Sequence, residues 1–217
     1  MSKKHDEIMK PSASVSTAGL WDGAGQLVRT HLLTSIETKQ RVLESCQADI
    51  LAAAARITGS LREGGKLLLC GNGGSAADCQ HIAAELVIRL THDFVRPGLP
   101  AIALTTDTSM LTASANDFGF AHVFERQVQA LGRPGDVLVA ISTSGDSENT
   151  LCALNYASAH GMHTIALTGG TGGKMASVAE IVIHIPSTST QHIQEAHIAV
   201  GHILCAIIER SLFPEAI

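Results

Sequence analysis

The chain has 217 residues, 45% apolar, 16% charged and only 3% aromatic, with a net charge of −5. That is enough chain for one α/β domain with a proper core; the scarce aromatics argue against stacking platforms for single-stranded nucleic acid and the acidic balance against a broad phosphate-backbone site, so no nucleic-acid partner is expected. The cysteines, Cys46, Cys70, Cys79, Cys152 and Cys205, are scattered and form no CxxC pair, which points to reduced thiols in a cytoplasmic protein; no apolar run reaches the ~18 residues of a membrane span, so no membrane is expected.

In chain order, the opening "MSKKHDEIMKPSASVSTAG" has no hydrophobic signal core. Residues 1–20 read as a flexible tail and 21–217 as a single domain. From about Gly25 to Ser60 the pattern is helical. Leu27, Leu32, Leu33 and Ile36 recur at helical spacing, and the alanine run at 52–55 favours helix strongly. The polar stretch Glu37–Arg41 marks either a break between two helices or one exposed face. "REGGK" then supplies a helix stop.

A rhythm follows. "KLLLC" (66–70), "AIAL" (101–104), "VLVAI" (137–141), "HTIAL" (163–167) and "IVIHI" (181–185) are short, nearly continuous apolar runs, the pattern of strands buried on both faces. Helical segments separate them, except for a short last interval. That alternation predicts an α/β fold of βαβ units, a five-stranded parallel sheet flanked by helices and preceded by an N-terminal helical segment. A final helix is expected over about His192–Leu212.

Ligands of open α/β sheets bind beyond the carboxyl ends of the strands. Three such ends carry polar loops here: "GNGGS", "STSGDS" and "TGGTGGK". The first two lead into helices whose amino ends offer free N–H groups and a positive dipole end to an anion. In "STSGDS", Ser142, Thr143, Ser144 and Ser147 surround Gly145 with hydroxyls. The plain alternative is a turn with Ser147 as N-cap, but this clustering points to a phosphate cradle. "GNGGS" lacks the GxxxxGK[ST] pattern and is not a full dinucleotide fingerprint, so no nucleotide is indicated.

One turn into the helix after "GNGGS", His81 and Glu85 stand at i and i+4 on one face. By itself that is also the spacing of an ordinary exposed pair. His197 and His202 lie in "QHIQEAHIAVGHILC", and the two helices together offer nitrogen and carboxylate ligands suited to zinc. Gln194 and His202 are about 12 Å apart along a straight helix, so spacing does not place both on one metal.

The glycine loop, "QHIAAEL", "STSGDS" and "IQEAHIAVGHI", in this order on a parallel-sheet pattern, resemble the SIS sugar isomerase family, a flavodoxin-like doubly wound fold. Within it the chain is similar to the phosphoheptose isomerases over residues 25–214, "RPGLPAIALTTDTSMLTASANDFGF" and "GRPGDVLVAISTSGDSENT" included. The resemblance implies a homotetramer with active sites between subunits, and conversion of sedoheptulose 7-phosphate into D-glycero-D-manno-heptose 7-phosphate at the start of ADP-heptose synthesis for lipopolysaccharide core. It implies substrate contacts at Asn72, Gly73, Gly74, Glu85, Asn116, Asp117 and Gln194, and a phosphate held by Ser142, Thr143, Ser144 and Ser147. Zinc ligands fall on His81, Glu85, Gln194 and His202, and the acid/base pair on Glu85 and His202. The chemistry suits these residue types: a carboxylate shuttles a proton between adjacent carbons through an enediol, and an imidazole serves the oxygens. The rival from another class is a non-enzymatic SIS module that binds the replication initiator. Such regulators lack the acid/base pair, and Glu85 and His202 are both present here.

Overall fold

The computed structural model describes residues 16–216, so most of the expected N-terminal tail lies outside the described residues. The chain divides into two compact units, one up to Thr34 and one from Ser35 onward. In the first, a turn leads into helix α1 (Ala24–Ser45), and Leu27, Val28, Leu32 and Leu33 are exposed.

The second unit continues with α2 (Gln47–Arg62), β1 (Leu67–Gly71), α3 (Gly74–Val87), β2 (Ala101–Ala103), α4 (Thr108–Phe118), α5 (Glu125–Leu131), β3 (Val137–Ile141), α6 (Glu148–Ala159), β4 (His163–Gly169), β5 (Ile181–Ile185) and α7 (Thr190–Leu212). All strands are parallel, in the order β2-β1-β3-β4-β5. Each expected strand is present. The short last interval, between β4 and β5, holds a single 3₁₀ turn, Lys174–Ser177.

The expected 25–60 helix is two helices, and the break falls at Cys46, not at Glu37–Arg41. The polar stretch is an exposed face, interrupted by buried Thr38. Helical bonding nearly survives the break: Cys46 N donates to Val42 O (2.8 Å), and Ile50 N to Cys46 O (3.0 Å). The buried Cys46 thiol donates to His184 O (3.2 Å), which holds the junction against the β5 edge.

The sheet separates two apolar cores, because successive residues of a strand face opposite ways. Leu67 and Leu69 of β1, Val137, Val139 and Ile141 of β3, and Ile165 and Leu167 of β4 pack with α2, α3 and α7. Leu68, Cys70, Leu138, Ala140 and Ala166 face the other way, onto Val128 of α5 and Ala153 and Leu154 of α6. Burying each large side chain stabilises the fold by about 1.5–3 kcal/mol, which is why these strands read as unbroken apolar runs. Among the described residues, no helix is long and apolar enough to cross a membrane.

One buried polar group in this layer makes the fold pH-sensitive. His197 of α7 is fully buried, with one ring nitrogen 3.1 Å from Thr168 O and Nδ1 lacking a hydrogen-bond partner. Burial holds its pKa down at about 4, against an ordinary 6.5. Above pH 6.5 the ring is neutral in both folded and unfolded chains. As the pH falls from 6.5 to 4, the unfolded chain takes up a proton that the fold refuses, so stability is lost across that window, by about 3 kcal/mol in all. Urea unfolding from pH 7 to pH 4 is expected to show this loss, and His197→Gln to flatten the slope; parallel slopes in the two proteins would assign the acid sensitivity elsewhere.

Candidate active site

The order β2-β1-β3-β4-β5 reverses direction between β1 and β3, and there the polar loops converge. After β1 the chain turns through Asn72 and Gly73, whose φ of 55° is the left-handed region that favours glycine, and enters α3 at Gly74. The Asn72 amide exchanges two hydrogen bonds of 2.9 Å with that of Asn149. This ties the β1 loop to the first turn of α6 and leaves Gly73 and Gly74 exposed at the amino end of α3.

The "STSGDS" loop is organised from within. The hydroxyl of buried Ser142 is 2.9 Å from that of Ser147 and 3.4 Å from that of Ser144, and accepts from Gly145 N (3.2 Å). Ser144 Oγ accepts from Asp146 N (3.2 Å). Ser147 does stand at the N-cap of α6, yet its side chain makes no cap hydrogen bond. Its hydroxyl joins the serine cluster, so the N-terminal N–H groups of α6 have no cap from it. Thr143 is half-buried beside them and Ser144 exposed.

The third loop braces the second. Asp146 accepts from Lys174 N (3.0 Å), and Gly145 O from Met175 N (2.9 Å). The backbones meet at glycines: a Cβ on Gly145 would lie 2.0 Å from Gly172 O, and one on Gly173 would lie 2.5 Å from Ser144 O. No side chain fits at either position, which gives Gly145 of "STSGDS" and Gly173 of "TGGTGGK" a structural reason.

Helices α3 and α7 lie side by side and run in the same direction. A Cβ on Gly74 would meet Gln194 Nε2 at 2.6 Å, and one on Gly201 would meet Ile82 Cδ1 at 2.7 Å. Further along, His81 Nε2 is 2.8 Å from His202 Nε2, with the rings edge-on at 5.0 Å between centroids, and 3.5 Å from Glu85 Oε1. His81 therefore stands between His202 and Glu85 and touches both. Gln194 is placed differently, its amide against Gly74 at the start of α3. Asn116 and Asp117 stand at the exposed carboxyl end of α4, bonded to each other (2.8 Å); among the described residues no hydrogen bond joins them to the loops or to the histidine cluster.

The cluster has a metal site's donor chemistry. Two neutral imidazoles cannot both donate across one 2.8 Å gap, so the pair either shares a proton or presents two lone pairs to a cation. Glu85 Oε2 is buried and has no hydrogen-bond partner. Asp78, one turn before His81, is in the same state at Oδ2; burial raises its carboxyl above the ordinary range, while His81 and His202 pull it down. Asp78, electrostatically coupled to His81 and His202, and Asn149, bonded to Asn72, are neighbours of these residues that the sequence reading does not single out. The i, i+3 spacing of Asp78 to His81 on one face was a usable signal, whereas an asparagine in a helix first turn gives none.

The SIS domain family matches residues 32–169. The phosphoheptose isomerase of Roseiflexus sp. (strain RS-1) is 53% identical over 194 residues, 89% of this chain and 98% of that protein. The solved phosphoheptose isomerase from Neisseria gonorrhoeae is 46% identical with a TM-score of 0.79, covering 85% of this chain and 97% of its own. That from Francisella tularensis is 39% identical with a TM-score of 0.82, at the same coverages.

Proposed function

The chain belongs to the phosphoheptose isomerases of the SIS-domain family, and on that premise we propose that it converts sedoheptulose 7-phosphate into D-glycero-D-manno-heptose 7-phosphate in the cytoplasm, feeding ADP-heptose synthesis, with residues 21–217 acting as one catalytic domain. The observation that carries the reading is that His81 of α3 touches both Glu85 and His202 of α7, in a chain whose polar loops end the sheet's strands.

The substrate's two ends suit the two halves of the site. Its phosphate sits on Ser142, Thr143, Ser144 and Ser147 at the amino end of α6, where hydroxyls and helix dipole both favour a dianion. The sugar runs past Asn72, Gly73 and Gly74, where the absence of side chains allows close approach to the backbone, towards α3, with Asn116, Asp117 and Gln194 as further contacts. The carbonyl end reaches Glu85. Its carboxylate takes the C1 proton of the ketose and returns it to C2 through an enediol, while His202 moves a proton between the C1 and C2 oxygens. The donor types suit zinc, which His81, Glu85 and His202 would hold, with Gln194 as the fourth in the family pattern; there it would polarise the carbonyl and stabilise oxyanion charge.

A homotetramer with sites between subunits belongs to this reading. It is supported by an apolar groove along α1, α2 and α7, where Leu43 is 66%, Leu51 52% and Ile203 44% exposed. Light scattering that gives a mass near 22.7 kDa would remove this part of the proposal.

The decisive experiment incubates purified, zinc-supplied protein with sedoheptulose 7-phosphate in D₂O. Aldose product and solvent deuterium in the sugar are expected. With neither, the isomerase reading falls and the initiator-binding alternative takes its place. For the phosphate half, Ser144→Ala with Ser147→Ala is expected to raise KM at least about tenfold, since each charge-assisted hydrogen bond contributes roughly 1.5–3 kcal/mol. Unchanged steady-state kinetics in the double variant would move the phosphate elsewhere.

A further inference from the structure

We propose that His122, Glu125 and Cys152 form a second metal site, outside the isomerase cluster, that binds a thiophilic divalent cation of the zinc type. The three donors come from three elements: His122 from the 3₁₀ turn Phe120–His122, Glu125 from the start of α5, and Cys152 from the second turn of α6. One ligand atom of each lies within 4.8 Å of the other two. An imidazole nitrogen, a carboxylate oxygen and a thiolate are the donor types zinc takes, and three protein ligands leave a position open for water.

The donors are held before any cation arrives. Glu125 Oε2 is 2.5 Å from His122 Nδ1, and Glu125 Oε1 accepts from Gln129 Nε2 (3.1 Å). Gln129 is itself fixed by Arg126, which donates to its Oε1 (2.8 Å) and stacks over the Phe118 ring at 4.5 Å. That chain supplies the outer-shell orientation that metal sites use. Beneath it lies a packed scaffold: Val123, Phe124 and Ala153, each next to a ligand in the chain, and Leu154 are all buried in one core. Burial first, and then the Glu125 and Glu148 carboxylates, push the Cys152 thiol up; that same negative charge favours a cation beside it. All three ligand residues are half-buried, open enough for an ion to enter. Binding replaces the thiol proton of Cys152, which leaves to solvent, and links α6 to the α4–α5 connection that follows Asn116 and Asp117.

Cysteine makes the test selective, because the His81, Glu85 and His202 cluster offers only nitrogen and oxygen. Reduced, chelator-treated full-length protein titrated with Co²⁺ is expected to develop a near-ultraviolet thiolate-to-metal absorption band. Cys152→Ser should abolish it, and Gln129→Ala should weaken Co²⁺ binding about tenfold or more through the outer shell. His81→Ala with His202→Ala should retain it. The unmutated protein gives an independent reading: Cys152 is half-buried while the other four cysteines are buried, so native alkylation reports on it. Saturating Zn²⁺ should slow that alkylation at least tenfold. No thiolate band in the unmutated protein, a band that survives Cys152→Ser, or an alkylation rate indifferent to Zn²⁺ would each overturn the proposal.

Discussion

If Glu85 carries the proton as proposed, Glu85→Gln is expected to lower kcat by at least about 10²-fold while the fold persists, because it removes the carboxylate and keeps the side chain's shape. The setting supports the size of the effect. Glu85 carries a buried oxygen with no hydrogen-bond partner, and its other oxygen is 3.5 Å from His81. His202→Gln should cost a similar factor. The two losses should not multiply in the double variant, since the proposed mechanism puts both residues in one proton relay. Isomerisation and deuterium incorporation measure the effect, with circular dichroism and light scattering reporting the fold. A Glu85→Gln protein that keeps more than a tenth of normal kcat would show that another group carries the proton, with Asp78 the first to test.

Arg96→Leu is expected to cost about 3–5 kcal/mol of stability, the penalty for leaving one member of a buried ion pair alone. Arg96 follows α3 in the loop "VRPG" and is buried, as is Glu209 of α7. Glu209 Oε1 accepts from Arg96 Nε (2.8 Å) and from Leu90 N (3.2 Å) and lies 2.5 Å from Arg96 Nη2. The same guanidinium donates to Leu86 O (2.6 Å), Pro97 O (3.0 Å) and Glu85 O (2.8 Å). It therefore closes the carboxyl end of α3, supports the backbone of Glu85 and fastens both to α7. Arg96→Leu with Glu209→Leu should recover part of the loss, because no lone charge is then buried. Urea unfolding at one fixed protein concentration measures both variants. A single variant as stable as the unmutated protein would show that the pair contributes nothing to the fold.

Much of this was legible in the chain. Runs such as "KLLLC" and "VLVAI" announce strands because a strand buried on both faces must be apolar at every position, and that requirement is local. The serine cluster, the glycine loop and the His81/Glu85 spacing are equally visible in the chain, and the structure places the first two at the carboxyl ends of β3 and β1 and the pair along α3. Other features had no local signal. The helix break at Cys46 carries neither glycine nor proline, since the bonding pattern across it hardly changes. Ser147 holds the N-cap position of α6, but nothing in the sequence shows that its hydroxyl pairs with Ser142 and leaves the helix N–H groups uncapped.

By itself, then, the sequence determined the strands, the alternation of helices with them, the final helix and the polar loops, because periodicity and turn preference act between near neighbours. Only the tertiary structure decided which of those residues meet. His81 and His202 are 121 residues apart, yet their rings touch because α3 and α7 lie parallel, closely enough that Gly201 leaves no room beside Ile82 for a side chain. The same packing seats Gln194 against Gly74, buries Arg96 on Glu209, and on the other face of the sheet brings Cys152 to His122 and Glu125. Such pairings follow from shape and burial between whole elements, a property that no stretch of the chain carries alone.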